Sequence, residues 1–294
     1  MKKIFIACCL AVVFCLSGAS FASAVILPNA PDYEFWYGSA PTVAGMMMGY
    51  YDRNGYGGLT YSNLVPGGTA EASSYGNPGA IANSAIASAG HITDFYSAGY
   101  GGSGDDVSPL SHSFNSLADF MGTSQDSIGN INGNTTFYYY TNGDKLTATD
   151  AFTYGVWNSD GMYGIGEYIN YAGYGVTNLY TQHIYSSTVS NGFTFADYTA
   201  EIDAGRPVMI HLTGHTIFGY GYDAANNMIY FHDTWSAGQH DMTWGGSYSS
   251  MDQWGVTCFE LTRGESPNGV PEPATMLLLG LGLMGLAGVR RLKK

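Results

Sequence analysis

Cysteine is almost absent from the body of this 294-residue sequence. Three of the four cysteines lie within the first fifteen residues, and Cys258 is the only one beyond them. No intramolecular disulfide can therefore form in the body, which excludes the disulfide-stapled domains common among secreted proteins. Cys258 alternates with Val256 and Glu260 along an apparent strand, and this pattern favours a buried core thiol over a displaced nucleophile.

Basic residues are also scarce. The chain has 10 lysines and arginines against 23 aspartates and glutamates, and most of the basic residues lie at the two chain ends. The body keeps only Arg53, Lys145, Arg206 and Arg263. A surface this acidic repels phosphate backbones, so nucleic acid is not an expected partner. Charged residues make up only 11% of the chain, however, and its 14 Phe, 24 Tyr and 5 Trp can form a packed core, which excludes an acidic disordered chain.

The N-terminus has the pattern of an export signal. Basic residues at positions 2 and 3 precede an apolar run from Ile4 to Leu16, and Ala22-Ser23-Ala24 has the small residues of a cleavage site. As a helix, the apolar run would span about 20 Å, which is short of the roughly 30 Å hydrocarbon core of a bilayer. We therefore predict a cleaved signal peptide over residues 1–24 and an exported protein.

The C-terminus combines Pro271-Glu272-Pro273, an apolar stretch from Ala274 to Val289, and a basic end. A helix over that stretch would be about 24 Å long, and terminal basic side chains can snorkel to extend it. This order resembles the PEP-CTERM sorting tail of Gram-negative bacteria. The resemblance, over residues 270–294, implies transient membrane insertion of a short transmembrane helix. It also implies cutting near Pro-Glu-Pro by an exosortase-type membrane enzyme and release to the cell surface or extracellular matrix. A simple tail anchor is the alternative.

Residues 25–265, between these ends, favour one α+β domain. Apolar residues at helical spacing predict a helix from Ser39 to before Gly55, and further helices over residues 78–89, 113–121, 163–172 and 195–204. Residues 135–140 are strand-like. Residues 208–212, 215–222, 228–231 and 256–261 predict successive strands. Helices followed by an antiparallel sheet are typical of the α+β class.

Three short motifs suggest a catalytic arrangement. The segment Trp36–Thr42 opens the first predicted helix, Gly214-His215 begins a strand, and Asp233-Thr234-Trp235 ends one. Their order and spacing resemble the papain-like cysteine peptidases of the bacteriocin-leader-processing group, over about residues 36–51 and 195–235.

That resemblance implies a papain-like fold, in which an N-terminal helix carrying the nucleophile position packs on an antiparallel sheet. By position, Ser39 corresponds to the nucleophile, His215 to the general base and Asp233 to the residue that orients the base. A thiolate at a helix N-terminus is stabilised by the helix dipole and by an adjacent imidazolium, which gives the arrangement its chemistry.

The sequence departs from the family pattern at two positions. Ser39 stands where the family has cysteine, and Tyr33 stands where a glutamine helps to form the oxyanion hole. A serine hydroxyl does not ionise near neutral pH, and losing one oxyanion donor costs roughly 100- to 1000-fold in rate. The two changes favour an inactive or repurposed peptidase scaffold.

Two other functions stay open. One is a working Ser-His-Asp peptidase or acyl hydrolase. The other is a binding module that holds a peptide or a polysaccharide in a cleft lined by Tyr33, Trp36 and Trp235. The single residues also have simpler explanations, because Ser39 could be a helix N-cap, His215 a satisfied strand histidine and Asp233 a turn cap.

A metal site among the histidines of residues 211–240 is a further alternative. Five candidate ligands lie close together in the sequence, namely His211, His215, His232, Asp233 and His240. A Thr-Gly turn separates the first two, so they are not a helical i, i+4 pair. We therefore predict no metal and no cofactor.

Overall fold

The structure, a computed structural model, describes residues 24–35, 37–98 and 112–263. The predicted signal peptide, the predicted sorting tail and Trp36 lie outside these residues. The helices are α1 (Ser39–Asn54), α2 (Ile81–Ile86), α3 (Ala89–Ala98), α4 (Leu117–Phe120), α5 (Ala148–Thr153), α6 (Gly161–Tyr171) and α7 (Phe195–Asp203). The strands are β1 (Val25–Ile26), β2 (Leu146–Thr147), β3 (Tyr174–His183), β4 (Val208–Leu212), β5 (His215–Asp223), β6 (Met228–His232), β7 (His240–Thr243), β8 (Ser247–Tyr248) and β9 (Met251–Arg263).

The strands form one antiparallel sheet in the order β2-β3-β9-β4-β5-β6-β7. Strand β1 pairs with the far end of β5, and β8 pairs with β9. The hairpins β4–β5 and β5–β6 have the short polar turns that the sequence predicts, and Leu212 pairs with His215 beside the first turn. The sheet therefore places the start of β5 beside the end of β6, where two of the sequence motifs lie.

Helix α1 is the central helix and packs against β5 and β4. Its residues from Ala40 to Tyr51 are all buried, so the helix is enclosed on every side and not merely amphipathic. Two glycines permit this enclosure: a Cβ atom at Gly45 would lie 2.5 Å from Ile86 Cγ1, and a Cβ atom at Gly49 would overlap the Tyr33 ring. The predicted α+β, papain-like architecture, with a buried N-terminal helix on an antiparallel sheet, is confirmed.

Several segments differ from the sequence prediction, among them helices α3 and α5 and strands β3, β7 and β8, which were not predicted. Residues 135–140 are extended but form no strand; they are held by isolated hydrogen bonds, such as Thr181 Oγ1 to the Tyr138 carbonyl at 2.5 Å. Strand β3 was not predicted. Asn178 in its middle has φ 50°, and the pairing with β9 shifts there. This bulge interrupts the alternation of inward and outward side chains by which a strand is recognised.

None of the helices in the described part of the chain is long and apolar enough to cross a bilayer.

Candidate active site

Ser39 is the first residue of α1. Gly38 precedes it with φ 119°, and a Cβ atom there would lie 2.5 Å from the Gly133 carbonyl oxygen, so this turn requires glycine. Gly38 occupies the N-cap position, and its carbonyl accepts a 2.7 Å hydrogen bond from Thr42 Oγ1. Ser39 is partly exposed and makes no capping hydrogen bond. The N-cap explanation for Ser39 is therefore wrong.

His215 lies at the start of β5 with its ring largely buried. Its Nε2 atom is 2.7 Å from the main-chain carbonyl oxygen of Asp233. A carbonyl oxygen only accepts, so Nε2 carries the hydrogen and Nδ1 is left as the acceptor. Burial lowers the pKa of His215, and the contact with Asp233 offsets part of that effect. The imidazole is thus neutral near pH 7 and has the tautomer that a general base needs at Nδ1.

The Asp233 carboxylate accepts hydrogen bonds from its own loop and from Tyr248. Oδ1 accepts hydrogen bonds of 2.9 Å from the N–H groups of Trp235 and Ser236, and Oδ2 accepts one of 2.7 Å from Tyr248 Oη. Burial raises the pKa of Asp233, but these hydrogen bonds outweigh it and hold the pKa below its usual range. From the sequence we assigned the orienting role to Asp233; in the structure, the group of Asp233 that contacts His215 is its main-chain carbonyl.

Trp235 covers the His215 ring. The two rings stack with centroids 3.8 Å apart and planes 19° apart, while 50% of Trp235 stays exposed. The indole thus shields the hydrogen bond between His215 and the Asp233 carbonyl from water on one side and offers exposed aromatic surface on the other.

The loop that carries Trp235 is tied to the segment that leads into α1. Thr234 has φ 69°, which is rare for a β-branched residue, and its carbonyl accepts a 2.6 Å hydrogen bond from the Phe35 N–H. Asp32 Oδ2 accepts a 2.7 Å hydrogen bond from the Gly238 N–H. Two separate contacts therefore couple the loop after β6 to the turn that presents Ser39, and the uncommon conformation of Thr234 lies at this junction.

Comparison with known families decides the classification. Residues 27–256 match the Peptidase_C39 like family, which is more than half of the chain. The chain belongs to the Peptidase_C39 like family. Residues 269–291 match the PEP-CTERM protein-sorting motif, which marks an exported, membrane-transiting protein that is processed by exosortase, a membrane enzyme. Both resemblances inferred from the sequence are confirmed. No curated protein and no solved structure matches the chain.

Within this Peptidase_C39 like domain, the three residues predicted to line a cleft do not share one environment. Tyr33 does not line a cleft: it is fully buried, its hydroxyl donates a 3.0 Å hydrogen bond to the Glu71 carbonyl, and its ring packs on Gly49. Gly49 lies almost three helical turns beyond Ser39, so Tyr33 is far along α1 from the nucleophile position. Trp36 lies outside the described residues, and Trp235 is exposed beside His215.

Cys258 does not supply the Peptidase_C39 like domain with a reactive thiol. It lies in β9 opposite Tyr180 and is 2% exposed. Burial raises the pKa of the Cys258 thiol well above its usual range, which suppresses the thiolate form. The interpretation of Cys258 as a core residue agrees with this environment.

In the described part of the chain, the histidines of residues 211–240 form no group with the spacing of a metal site, although His240 Nε2 lies 3.5 Å from Asp233 Oδ1. His211 is buried against Phe137 and hydrogen-bonded to Thr257, and burial lowers its pKa to about 3. His232 stacks on Tyr220 and contacts the Gly238 carbonyl. Among the described residues, a different group has the spacing of a metal site, namely His91, His112 and Asp119. The sequence analysis missed it because these residues form no short motif.

Proposed function

We propose that this chain is an exported surface or extracellular-matrix protein whose papain-like domain has lost efficient peptidase chemistry. The observation that carries the proposal is the residue at the N-terminus of α1: it is Ser39, a hydroxyl with no capping hydrogen bond, and the one cysteine in the described residues is buried elsewhere. A helix N-terminus favours a group that can ionise, and a serine hydroxyl does not ionise near neutral pH.

The environment of His215 and Tyr33 supports the same conclusion. A main-chain carbonyl orients the imidazole but stabilises an imidazolium less than a carboxylate would, because it carries no net charge. Tyr33, at the position where the family resemblance implies an oxyanion glutamine, is enclosed in the core and cannot reach a substrate. The loss of one such donor costs roughly 100- to 1000-fold in rate.

One observation favours a second candidate, a slow serine hydrolase. The hydrogen bond from His215 Nε2 to the Asp233 carbonyl leaves Nδ1 as an acceptor, which is the state required to take a proton from a hydroxyl. Ser39, His215 and Asp233 would then act as nucleophile, base and orienting residue. The exposed Trp235 favours a third use of the same surface, the binding of a peptide or an extracellular polysaccharide.

A fluorophosphonate probe separates the first two candidates. We expect no labelling of Ser39 in the wild type, because the hydroxyl lacks the ion-pair and oxyanion stabilisation that activates a serine. The measurement is peptide-level mass spectrometry after probe treatment, with Ser39→Ala as the blank. Labelling of Ser39 that disappears in His215→Ala would establish a working serine hydrolase and reject the degenerate scaffold.

Processing of the chain ends tests the proposed destination. We expect the extracellular protein to begin at Val25 and to lack everything beyond about Glu272, because both terminal segments are removed during export and sorting. Mass spectrometry of secreted material measures both ends. Replacement of Pro271, Glu272 and Pro273 by alanine should retain the protein in the membrane fraction. Secreted protein that still contains the peptide ending at Lys294 would contradict the sorting role.

A further inference from the structure

His91, His112 and Asp119 form a compact group that the proposed function does not use. Each offers one ligand atom, and these atoms all lie within 4.8 Å of one another. His91 belongs to α3, Asp119 to α4, and His112 precedes α4. We propose that these three side chains bind a divalent transition metal of the zinc class.

The spacing of the side chains fits one bound ion. His91 Nδ1 lies 3.1 Å from Asp119 Oδ1, and His112 Nδ1 lies 3.7 Å from the same oxygen. In a tetrahedral zinc site with bonds of about 2.0–2.1 Å, neighbouring ligand atoms are about 3.3–3.4 Å apart. The two separations from Asp119 Oδ1 bracket that value, and the two histidine nitrogens lie within 4.8 Å of each other, so movements of the rings can place an ion between the three side chains.

The Asp119 carboxylate is already fixed in the orientation of a ligand. Its Oδ2 atom accepts hydrogen bonds from the N–H groups of Asn115 and Ser116, at 3.1 and 2.9 Å, and from Ser116 Oγ at 2.7 Å. Oδ1 therefore faces the two imidazoles. Hydrogen bonds of this kind commonly orient the carboxylate ligands of metal sites.

His112 has the second contact that accompanies a metal-bound histidine. Its Nδ1 atom lies 3.1 Å from the Ser113 carbonyl oxygen as well as near Asp119, and its Nε2 atom lies 3.4 Å from Asp94 Oδ2. A ligating imidazole commonly donates its other N–H to a carboxylate. An ion at Nδ1 would therefore replace the contact with Ser113 and leave the ring hydrogen on Nε2, facing Asp94. Gly90 makes room for this ring, because a Cβ atom there would lie 2.6 Å from His112 Cγ.

The donor set selects the class of ion. Two imidazole nitrogens and one carboxylate oxygen suit zinc and its first-row neighbours, whereas calcium and magnesium are bound almost wholly by oxygen. Three protein ligands leave a fourth position for water. The group is largely enclosed: His91 is fully buried and Asp119 is 1% exposed.

Such an ion would act as a cross-link near the α1 N-terminus. It would join α3 to α4 and so close the chain between residues 91 and 119, in a body whose described part has a single cysteine and hence no disulfide. Tyr37 packs edge-on against His91, with ring centroids 5.5 Å apart, two residues before Ser39. The cross-link would therefore also steady the turn that presents Ser39.

The test is a metal titration of the full chain after chelator treatment. Co²⁺ serves as the spectroscopic probe, because its visible absorption reports nitrogen and oxygen ligation, and Zn²⁺ is added in competition. We expect one equivalent of Co²⁺ to bind, Zn²⁺ to displace it, and Tm to rise with either metal. A wild-type protein that binds no Co²⁺ or Zn²⁺ stoichiometrically overturns the proposal.

Variants locate the site. Asp119→Asn keeps the shape and an acceptor for Ser116 but removes the anionic ligand, and His112→Ala removes one imidazole ligand. Both should abolish stoichiometric binding. Ser116→Ala should weaken it roughly 10- to 100-fold by releasing the carboxylate. His183→Ala, outside the group, is the matched control and should bind like the wild type. Unchanged binding in Asp119→Asn and His112→Ala, or equal loss in His183→Ala, rejects this location.

Discussion

Ser39→Cys should turn an unreactive protein into one that a thiol-directed electrophile such as iodoacetamide labels at residue 39. The new thiol would lie at the N-terminus of α1, where the helix dipole favours a thiolate. The family resemblance pairs this position with His215, whose free acceptor is Nδ1. We expect labelling at pH 7 at least about tenfold faster than for an ordinary exposed cysteine. The wild type should stay unlabelled because Cys258 is 2% exposed.

Two variants control this experiment. Ser187→Cys places a thiol on an exposed turn between β3 and α7, and it reports the ordinary reaction rate. Ser39→Cys combined with His215→Ala should fall back toward that rate, since no imidazole remains to stabilise the thiolate. If Ser39→Cys reacts no faster than Ser187→Cys, or is indifferent to His215→Ala, the assignment of these two residues to one catalytic arrangement is wrong.

Asp160→Asn should change how stability depends on pH. Asp160 caps the N-terminus of α6, with Oδ1 accepting a hydrogen bond of 3.1 Å from the Met162 N–H. Burial raises its pKa to about 7, although that hydrogen bond opposes the shift. Between pH about 4 and about 7 the folded protein therefore keeps a proton that the unfolded chain releases. The free energy of unfolding should consequently fall as pH rises across that window.

The slope of the free energy of unfolding against pH sets the size of this effect. Relative to Asp160→Asn, the wild type should lose about 1.4 kcal/mol per pH unit between pH about 4 and 7, or about 4 kcal/mol at most, and the difference should be constant above pH 7. Asparagine is also a good N-cap, so the hydrogen bond to Met162 can persist in the variant. Burial likewise raises the pKa of Glu167 to about 7, and this contribution cancels between the two proteins.

Urea denaturation at a series of pH values measures the free energy of unfolding of the wild type and of Asp160→Asn. Asp241→Asn removes a carboxylate that stays in water in the folded state, and it is the matched control for the loss of one negative charge. A difference between the wild type and Asp160→Asn that does not vary from pH 4 to 7 would show that Asp160 is already ionised in the folded protein.

Local sequence patterns predicted the segments whose structure depends on near neighbours. Helix α1 begins at Ser39 and ends before Gly55, and β4, β5 and β6 lie within one or two residues of the predicted ranges. In these segments helix stop signals, turn residues and apolar periodicity all favour the same element. Strand β3 escaped prediction because its bulge at Asn178 disrupts the alternating pattern. Residues 135–140 have strand composition, yet they pair with no ladder.

The sequence by itself determined the family and the sorting motif, and it indicated that Asp233 and Trp235 lie beside His215, because these features are carried by short motifs with a fixed order and spacing. Only the tertiary structure decided which atoms meet. Asp233 has a carbonyl and a carboxylate, and Tyr248 with the loop N–H groups takes the carboxylate and leaves the carbonyl to His215. Tyr33 occupies the core because Gly49 leaves space for its ring. The group of His91, His112 and Asp119 is assembled by packing between distant segments, and local patterns carry no information about such contacts.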